Sequence, residues 1–581
     1  MPDKSLLQRL KERRLVQWAV AYLAGAWLVF QGVEVVADPW NLSTALQRTL
    51  HLLLIVGFFV TLVLAWYHGE KGRQRVSGAE LLMIAALLAI AAILITIVRP
   101  EAEAPTTPYT GVAVEGTKPA IAVLPFDNFS PNPDDAYFAD GMHEEIIRQL
   151  SRISGIKVIS RTSVMQYREA RPAARQIAGE LGVGFLLEGS ARKAEDQVRL
   201  TVQLIDASRD EHVWADDYDR DLTAAHLFEI QSDVAERVAA ALEVELSASE
   251  RERIERHPTE SLTAYDLYLL GLYNWNAWTE EALDRAVDYF ERAVELDPTM
   301  ARAHAGLAVV YSHEWLHAWG SAVGERRAKA RGEARMALAL DSTVAEGHAA
   351  LGYVLMLSAD WEGADAAFRR AIDLSPSYAI AHAWLAELLA AQGRHREAWE
   401  TIEQALALEP LSPYMNLDIG WLLYRARDYD RAAEELGRAL ELFPNAPQLH
   451  ALLGAVYTQQ GKLREGIAEL EEGMRLSETG SWFRGYLGYA YGRAGREADA
   501  RRILTELRDL AVLGYVDAEL FALVHLGLGE FDEAVDWLYQ AQEDQYGWAM
   551  WIPVDPIVDP LRSDPRYLAL LDSVGLSGVI Q

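Results

Sequence analysis

Three kinds of hydrophobic pattern follow one another along the chain. Residues 15–36, 50–67 and 79–98 are long, almost unbroken apolar runs. Each comes close to the roughly 20 helical residues that cross a bilayer, so the pattern predicts three membrane-spanning helices. From Ala120 onward, short apolar stretches alternate with amphipathic ones. AIAVLPF (120–126), KVIS (157–160), GFLLEGSAR (184–192), QVRLTVQLID (197–206) and HVWADDYDR (212–220) read as strands, and 137–153, 173–181 and 222–246 carry helical spacing. Asp196–Gln197 and Ser208–Arg209–Asp210 are the expected turns between the last three strands. That order describes an α/β layer domain.

Beyond residue 264 the pattern is helical and periodic. Small residues recur at Ala364, Ala398, Ala432, Gly466, Ala500 and Ala534, each 34 positions apart. A second series with the same spacing runs Gly352, Ala386, Gly420, Gly454, Gly488 and Ala522. Pro376, Pro410 and Pro444 close three of the units. Small side chains are needed where two helices of a hairpin cross closely, and proline ends the second helix. Two further units, 268–298 and 301–341, precede these, giving about eight repeats over 264–546. The apolar residues of 551–576 are expected to cover the exposed end of the last repeat.

This periodicity resembles the tetratricopeptide repeat. The resemblance implies an all-α solenoid whose first helices line a concave groove. Carried over position by position, the groove-lining residues include Tyr353, Met356, Glu387, Tyr414, Trp421, Tyr424, Arg425, Gln459, Trp482, Tyr489 and Arg493. Aromatic rings and arginine forks suit the recognition of proteins or peptides. Tyr414, Trp421, Tyr424 and Arg425 fall within one repeat and form the leading patch.

The motifs AIAVLPFDNFS, YFADGMHEEIIRQLSRISGIKVISRTSV, IAGELGVGFLLEGSARK and VRLTVQLIDASRDEHVWADDYDRDL resemble the TolB-like domain, related to the FlgO-like domain, over nearly all of 119–247. The resemblance implies a non-catalytic fold associated with the bacterial envelope or with signalling. Such a domain often follows a cyclase, a winged-helix domain or a membrane module. The 14 residues before the first apolar run and the stretch LAWYHGEKGRQRVSG (64–78) fit the membrane version.

Charge then orients the chain. Lys4, Arg9, Lys11, Arg13 and Arg14 precede the first run, and Lys71, Arg73 and Arg75 lie between the second and third. The opposite flanks hold only Arg48 and Arg99. Positive flanks stay inside, so the tail at 1–14 is expected in the cytoplasm and everything after 99 in the periplasm. Residues 100–118, with four prolines counting Pro119 beside them, read as a flexible linker. A net charge of −31 argues against nucleic acid, and the absence of cysteine removes disulfides and thiol chemistry.

One motif invites an enzymatic reading. His313-Glu314-Trp315-Leu316-His317 spells HExxH, which on a helix sets two imidazoles on one face for zinc. It lies at the end of a repeat helix beside an insertion, and no third-ligand motif follows; Glu325 and Glu333 are merely nearby. His304, His348, His382 and His450 share one position of their repeats and read as packing residues. Gly182 and Gly184 lack a phosphate-binding lysine and read as turn glycines; Asp134/Asp135 and Glu144/Glu145 read as solvated faces or helix-start acids. The sequence therefore predicts three membrane helices, an α/β domain and an all-α solenoid, with no catalytic residues and no cofactor. Its expected role is a scaffold or sensor for envelope proteins. A transmembrane relay to a cytoplasmic partner and a zinc hydrolase are the alternatives.

Overall fold

A computed structural model of the chain describes residues 118–573, apart from 170, 277–279, 313–322, 478–480, 514–515, 544–550 and 552. The three apolar runs at 15–36, 50–67 and 79–98, and the cytoplasmic and linker segments around them, lie outside the described residues. Among the described residues no helix is long and apolar enough to cross a membrane.

The first part is a mixed sheet of β1 (Ala120–Val123), β2 (Asp127–Asn128), β3 (Lys157–Val158), β4 (Phe185–Ala194), β5 (Gln197–Asp206) and β6 (Glu211–Asp221). Its helices are α1 (Ala136–Ser151), α2 (Arg161–Val164), α3 (Ala174–Leu181) and α4 (Ala224–Ala241). The strand order is β3-β1-β4-β5-β6, with β2 beside β4. β1 runs parallel to β3 and β4 across helical connections, whereas β4, β5 and β6 form antiparallel hairpins. One face packs Ile121, Val123, Leu187 and Leu200 against Phe138, Met142, Ile146, Leu227 and Val234 of α1 and α4. The other buries Ala122, Leu124 and Leu186 under α2 and α3.

Several boundaries differ from those expected. β1 stops before Pro125, which has no N–H to give a ladder. β3 stops at Val158, and the Ser160 N–H leaves the sheet for the Leu408 carbonyl at 2.9 Å. The β4–β5 turn is Glu195–Asp196, one residue earlier than predicted: Glu195 takes the positive φ of 52° and Gln197 enters the ladder opposite Ala194. α4 begins at Ala224 because Thr223 caps it by accepting from the His226 N–H. An unpredicted α5 (Ala248–Glu255) starts with a capping box between Ser247 and Glu250.

The rest is helical hairpins in sequence. They are α6 (Leu262–Trp275) with α7 (Glu280–Leu296), α8 (Ala301–Ser312) with α9 (Val323–Leu340), and α10 (Ala345–Leu357) with α11 (Trp361–Leu374). Then come α12 (Ala379–Ala391) with α13 (His395–Leu408), α14 (Pro413–Arg425) with α15 (Tyr429–Leu442), and α16 (Pro447–Gln459) with α17 (Leu463–Leu476). α18 (Ser481–Arg493) with α19 (Glu497–Leu513) and α20 (Ala518–Leu528) with α21 (Phe531–Glu543) complete the array. A 3-10 turn at Pro556–Leu561 and α22 (Pro565–Ser573) follow. The recurring alanines Ala364, Ala398, Ala432, Ala500 and Ala534 are fully buried at the helix crossings.

Sheet and solenoid share one core. Leu269, Phe290, Ala350 and Val354 of the first repeats belong to the same apolar cluster as Met142 and Ile146 of α1. Inter-repeat turns also bond the sheet edge and α2: Val158 N–H of β3 donates to Ser377 Oγ at 3.1 Å, and Leu411 N–H donates to Ser163 Oγ of α2 at 3.0 Å.

Candidate protein-interaction groove

The first helices of successive repeats bring most of the predicted groove residues into one string of contacts. Tyr353 packs on Trp384, ring centroids 4.7 Å apart. The Tyr414 hydroxyl donates to Glu387 at 3.4 Å. Trp421 meets Tyr424 edge-on at 5.5 Å and Tyr486 at 5.9 Å. The Gln459 amide reaches the hydroxyls of both Tyr424 (3.5 Å) and Tyr489 (3.4 Å), and Arg493 donates to Tyr489 at 2.6 Å. The links join neighbouring repeats or neighbouring turns, except Trp421–Tyr486, which skips one repeat; a position repeated every 34 residues recurs on the same face of the stack.

Not every predicted residue is available on that face. Met356 is 1% exposed and Tyr424 0%. They are core residues: both sit late in their helices, where the next helix pair closes over them. Tyr489 and Arg425 are buried as well, whereas Arg493 is exposed. The Trp482 side chain lies outside the described residues.

The reason for the burial of Arg425 is the C-terminal segment. Its guanidinium is sandwiched between Trp421, 4.9 Å to the ring centroid, and Trp551, 3.5 Å. A desolvated stack of that kind is worth about 2 kcal/mol. Asp555 follows, fully buried, its carboxylate accepting from the Ile557 N–H at 2.9 Å. Arg427, in the turn after α14, then pairs with Asp559 at 2.6 Å. Ile557, Val558 and Leu561 complete the contact by joining the solenoid core. The segment thus does more than cover the last repeat; it reaches back to α14.

Carboxyl groups are drawn into the interior beside these helices: Asp418, Glu519 and Asp555 are buried and Glu387 is half-buried. Burial pushes Glu387 up to about 7 and Asp555 up to about 6, in both cases against the pull of Arg425. Burial, with the charge of Glu387, carries Asp418 well above the carboxylate range, and burial does the same to Glu519, helped by Asp517 and Asp555. Sequence reasoning missed Trp384, Asp418 and Tyr486. The signal was there: these sit two residues before the recurring small residue, in the same 34-residue frame. Trp551 and Asp555 carry no periodic signal.

A second concave region lies between α1 and the first repeats. It encloses a cavity of about 150 Å³ lined by Arg148, Arg161, Arg302, Glu144, Glu346 and Glu409 among others. The Glu144/Glu145 pair, expected on a solvated face, is drawn in here because α1 is covered by the sheet on one side and by repeats on the other. Glu145 is fully buried, paired with Arg148 and, at 2.5 Å, with Arg302; it also accepts from Tyr268 at 3.2 Å. Arg148 also pairs with Glu346 at 2.5 Å. Arginines and carboxylates balance, so this region ties sheet to solenoid.

The HExxH residues His313, Glu314 and His317 lie outside the described residues. Of the nearby acids, Glu333 is engaged by His304 at 2.6 Å and Glu325 by Lys329 at 3.6 Å. The histidines at the shared repeat position act alike: Nε2 of His304, His348, His382 and His450 lies 3.0 Å from the carbonyl six residues earlier, at Pro298, Ser342, Pro376 and Pro444. They fasten each first helix to the preceding turn. Among the described residues no group of three or more His, Asp or Glu is placed to hold a metal ion. Gly182 takes φ 64° at the C-cap of α3, as a turn glycine does.

Comparison with known proteins follows the two parts. Residues 355–417 and 417–478 match tetratricopeptide-repeat models. Residues 117–237 match the model of the HilA/YgeH-like transcriptional regulator, second domain. A curated relative, "Putative adenylate cyclase 3" of Rhizobium meliloti (strain 1021), is 38% identical over 247 residues, or 42% of this chain. The chain spans 40% of that relative's length. Similar solved structures include a tetratricopeptide repeat protein from Parabacteroides merdae ATCC 43184 (14% identity, 46% of this chain and 100% of that one, TM-score 0.35). Pseudomonas aeruginosa pilF is another (22% identity, 35% and 92%, TM-score 0.27). On the two family matches, residues 355–478 are tetratricopeptide repeats, a fold whose members mediate protein–protein interaction.

Proposed function

We propose that this chain is a non-catalytic scaffold or sensor that binds proteins of the cell envelope through the inner face of its repeats. The observation that carries the reading is the Trp421–Arg425 cluster, an aromatic and guanidinium surface with a stretch of polypeptide seated on it. Stacked rings and a fixed fork recognise an incoming chain through large rigid contact area and carboxylate pairing.

The anchoring belongs to the same proposal. The runs 15–36, 50–67 and 79–98 are read as three helices across a bacterial inner membrane, with 1–14 cytoplasmic and residues after 99 periplasmic. The segment 119–247 is read as TolB-like on its motifs. Two tests apply. A periplasm-dependent reporter fused after residue 118 is expected to be active; an inactive fusion overturns the orientation. Crosslinked capture from intact cells is expected to yield envelope proteins that a Trp421→Ala/Arg425→Ala variant loses. Capture unchanged by the variant removes the groove from the reading.

A relay to a cytoplasmic partner is the second reading. Cytoplasmic regulators in the same capture would select it. The zinc-hydrolase reading of His313, Glu314 and His317 is the third; purified protein without zinc, or with zinc retained in His313→Ala, removes it.

A further inference from the structure

The scaffold reading leaves open what kind of segment the groove accepts, and the chain itself offers a sample. Residues 551–561 run WIPVDPIVDPL. Trp551 stacks on Arg425, Asp555 follows four positions on, and Asp559 pairs with Arg427 four positions beyond that. The spacing matches the groove. Arg425 ends α14 and Arg427 lies two residues later in the turn, so one short stretch of solenoid supplies both cations.

The two ends of this contact differ in character. Asp559 is exposed and its pair with Arg427 is open to water. Trp551 is half-buried, and Asp555 is sealed among Arg425, Tyr424 and Tyr486. Polar capacity remains at the sealed end: Arg425 Nε, Asp418 Oδ2 and Asp555 Oδ2 make no hydrogen bond among the described residues. A contact built only to close a core would satisfy such atoms. The segment is also held by two prolines, Pro556 and Pro560, that fix its turn. A pre-shaped stretch of this kind loses little freedom when it seats.

We propose that residues 551–561 are a resident ligand of the groove, and that the groove's partner is a protein segment of the same chemistry. That segment carries an aromatic ring, an aspartate four residues later and a second aspartate four beyond, and it takes the place of 551–561. The inference rests on the scaffold reading and specifies its partner. The outer Asp559–Arg427 pair is where an incoming acidic segment first competes, because it is exposed and weak, and the buried Asp555 yields last.

A fluorescent peptide of the sequence 551–561 and the full-length protein test this. Wild type is expected to bind the peptide weakly, since its own segment competes. Asp559→Arg turns the outer pair into a repulsion, loosening that end of the segment while leaving Arg425 and Arg427 intact, and is expected to bind the peptide several-fold more tightly. Arg427→Asp combined with Asp559→Arg restores the pair with reversed charges and sets a carboxylate against the peptide's second aspartate, so it is expected to bind the peptide less tightly than wild type. A control peptide with both aspartates replaced by lysine is expected not to bind. Peptide affinity unchanged by Asp559→Arg, or equal for the two peptides, overturns the proposal. If Asp559→Arg melts below wild type by more than a few degrees, Trp551→Ala replaces it with the same expected gain. The capture experiment separates the two readings. Envelope proteins captured but not displaced by the peptide overturn this inference and leave the scaffold standing; peptide binding as expected with no protein captured does the reverse to the scaffold.

Discussion

At the crossing of α16 and α17 a Cβ built on Gly454 would lie 2.7 Å from the carbonyl oxygen of Gly466, and one built on Gly466 would lie 2.8 Å from that of Gly454. The two glycines belong to the two series of small residues that recur every 34 positions. At this repeat the helices approach until backbone meets backbone, and neither carbonyl can yield as a side chain would.

Gly454→Ala is therefore expected to destabilise the solenoid by about 1–3 kcal/mol, despite the helix propensity that alanine adds. Gly437 in α15 supplies the contrast, since nothing lies within 4 Å of a Cβ there. Gly437→Ala is expected to stabilise by about 0.5–1 kcal/mol. Denaturant unfolding of both variants checks the pair. Equal effects would mean that the close approach at Gly454 is not a constraint.

Much of this architecture could be read from the sequence because two periods carry it. A repeat of 34 exposes the helix crossings through Ala364, Ala398 and Ala432, which must be small whatever surrounds them. Alternation along 197–206 marks β5, one of whose faces is buried while the other is wet. What the sequence hid was contact between distant parts. Nothing local in the Glu144/Glu145 pair says that α1 is covered on both sides, so a buried carboxylate read as a solvated one. Nothing periodic in 551–561 points to Arg425 and Arg427, more than a hundred residues earlier. Met356 and Tyr424 were misplaced for a related reason: a helix inside a stack buries more than one face, and position within the repeat does not say which side chain the next hairpin covers.

The Glu145–Arg302 pair yields the second prediction. Burial pushes the Glu145 carboxyl up, but Arg148 and Arg302 hold it below the usual carboxylate value. Arg302→Met removes one of the two cations while the charge stays buried, and is expected to cost about 3–5 kcal/mol. Removing the charge as well, in Glu145→Gln/Arg302→Met, is expected to recover most of that loss, because a neutral amide still accepts from Tyr268 and needs far less compensation, while Arg148 keeps Glu346. The two variants compared by urea unfolding decide it. A double variant as unstable as the single one would show that shape, not charge, is what Arg302 contributes.

The third prediction concerns pH and the seam between sheet and solenoid. Glu409 ends the turn after α13, 5% exposed, and burial lifts it from 4.5 to about 6 although Thr162 and Ser160 pull it down; Glu144 adds to the rise. Arg161, which lines the same cavity, and Asp418 on α14 are the other charged groups around it. A carboxyl raised on folding keeps its proton in the folded chain after the unfolded chain has lost it. Its contribution is thus fully present below about pH 4.5 and is lost as pH rises through about 6, at a cost on the order of 2 kcal/mol. Glu387, at about 7, acts in the same direction on the inner face. Stability measured between pH 5 and pH 7.5 is expected to fall, and Glu409→Gln is expected to flatten that fall by stabilising the protein at pH 7.5 more than at pH 5. Glu144→Gln, which removes the neighbouring negative charge, is expected to shift the remaining transition toward lower pH. A Glu409→Gln variant with the wild-type slope would show that the seam admits enough water to keep this carboxylate charged at no cost.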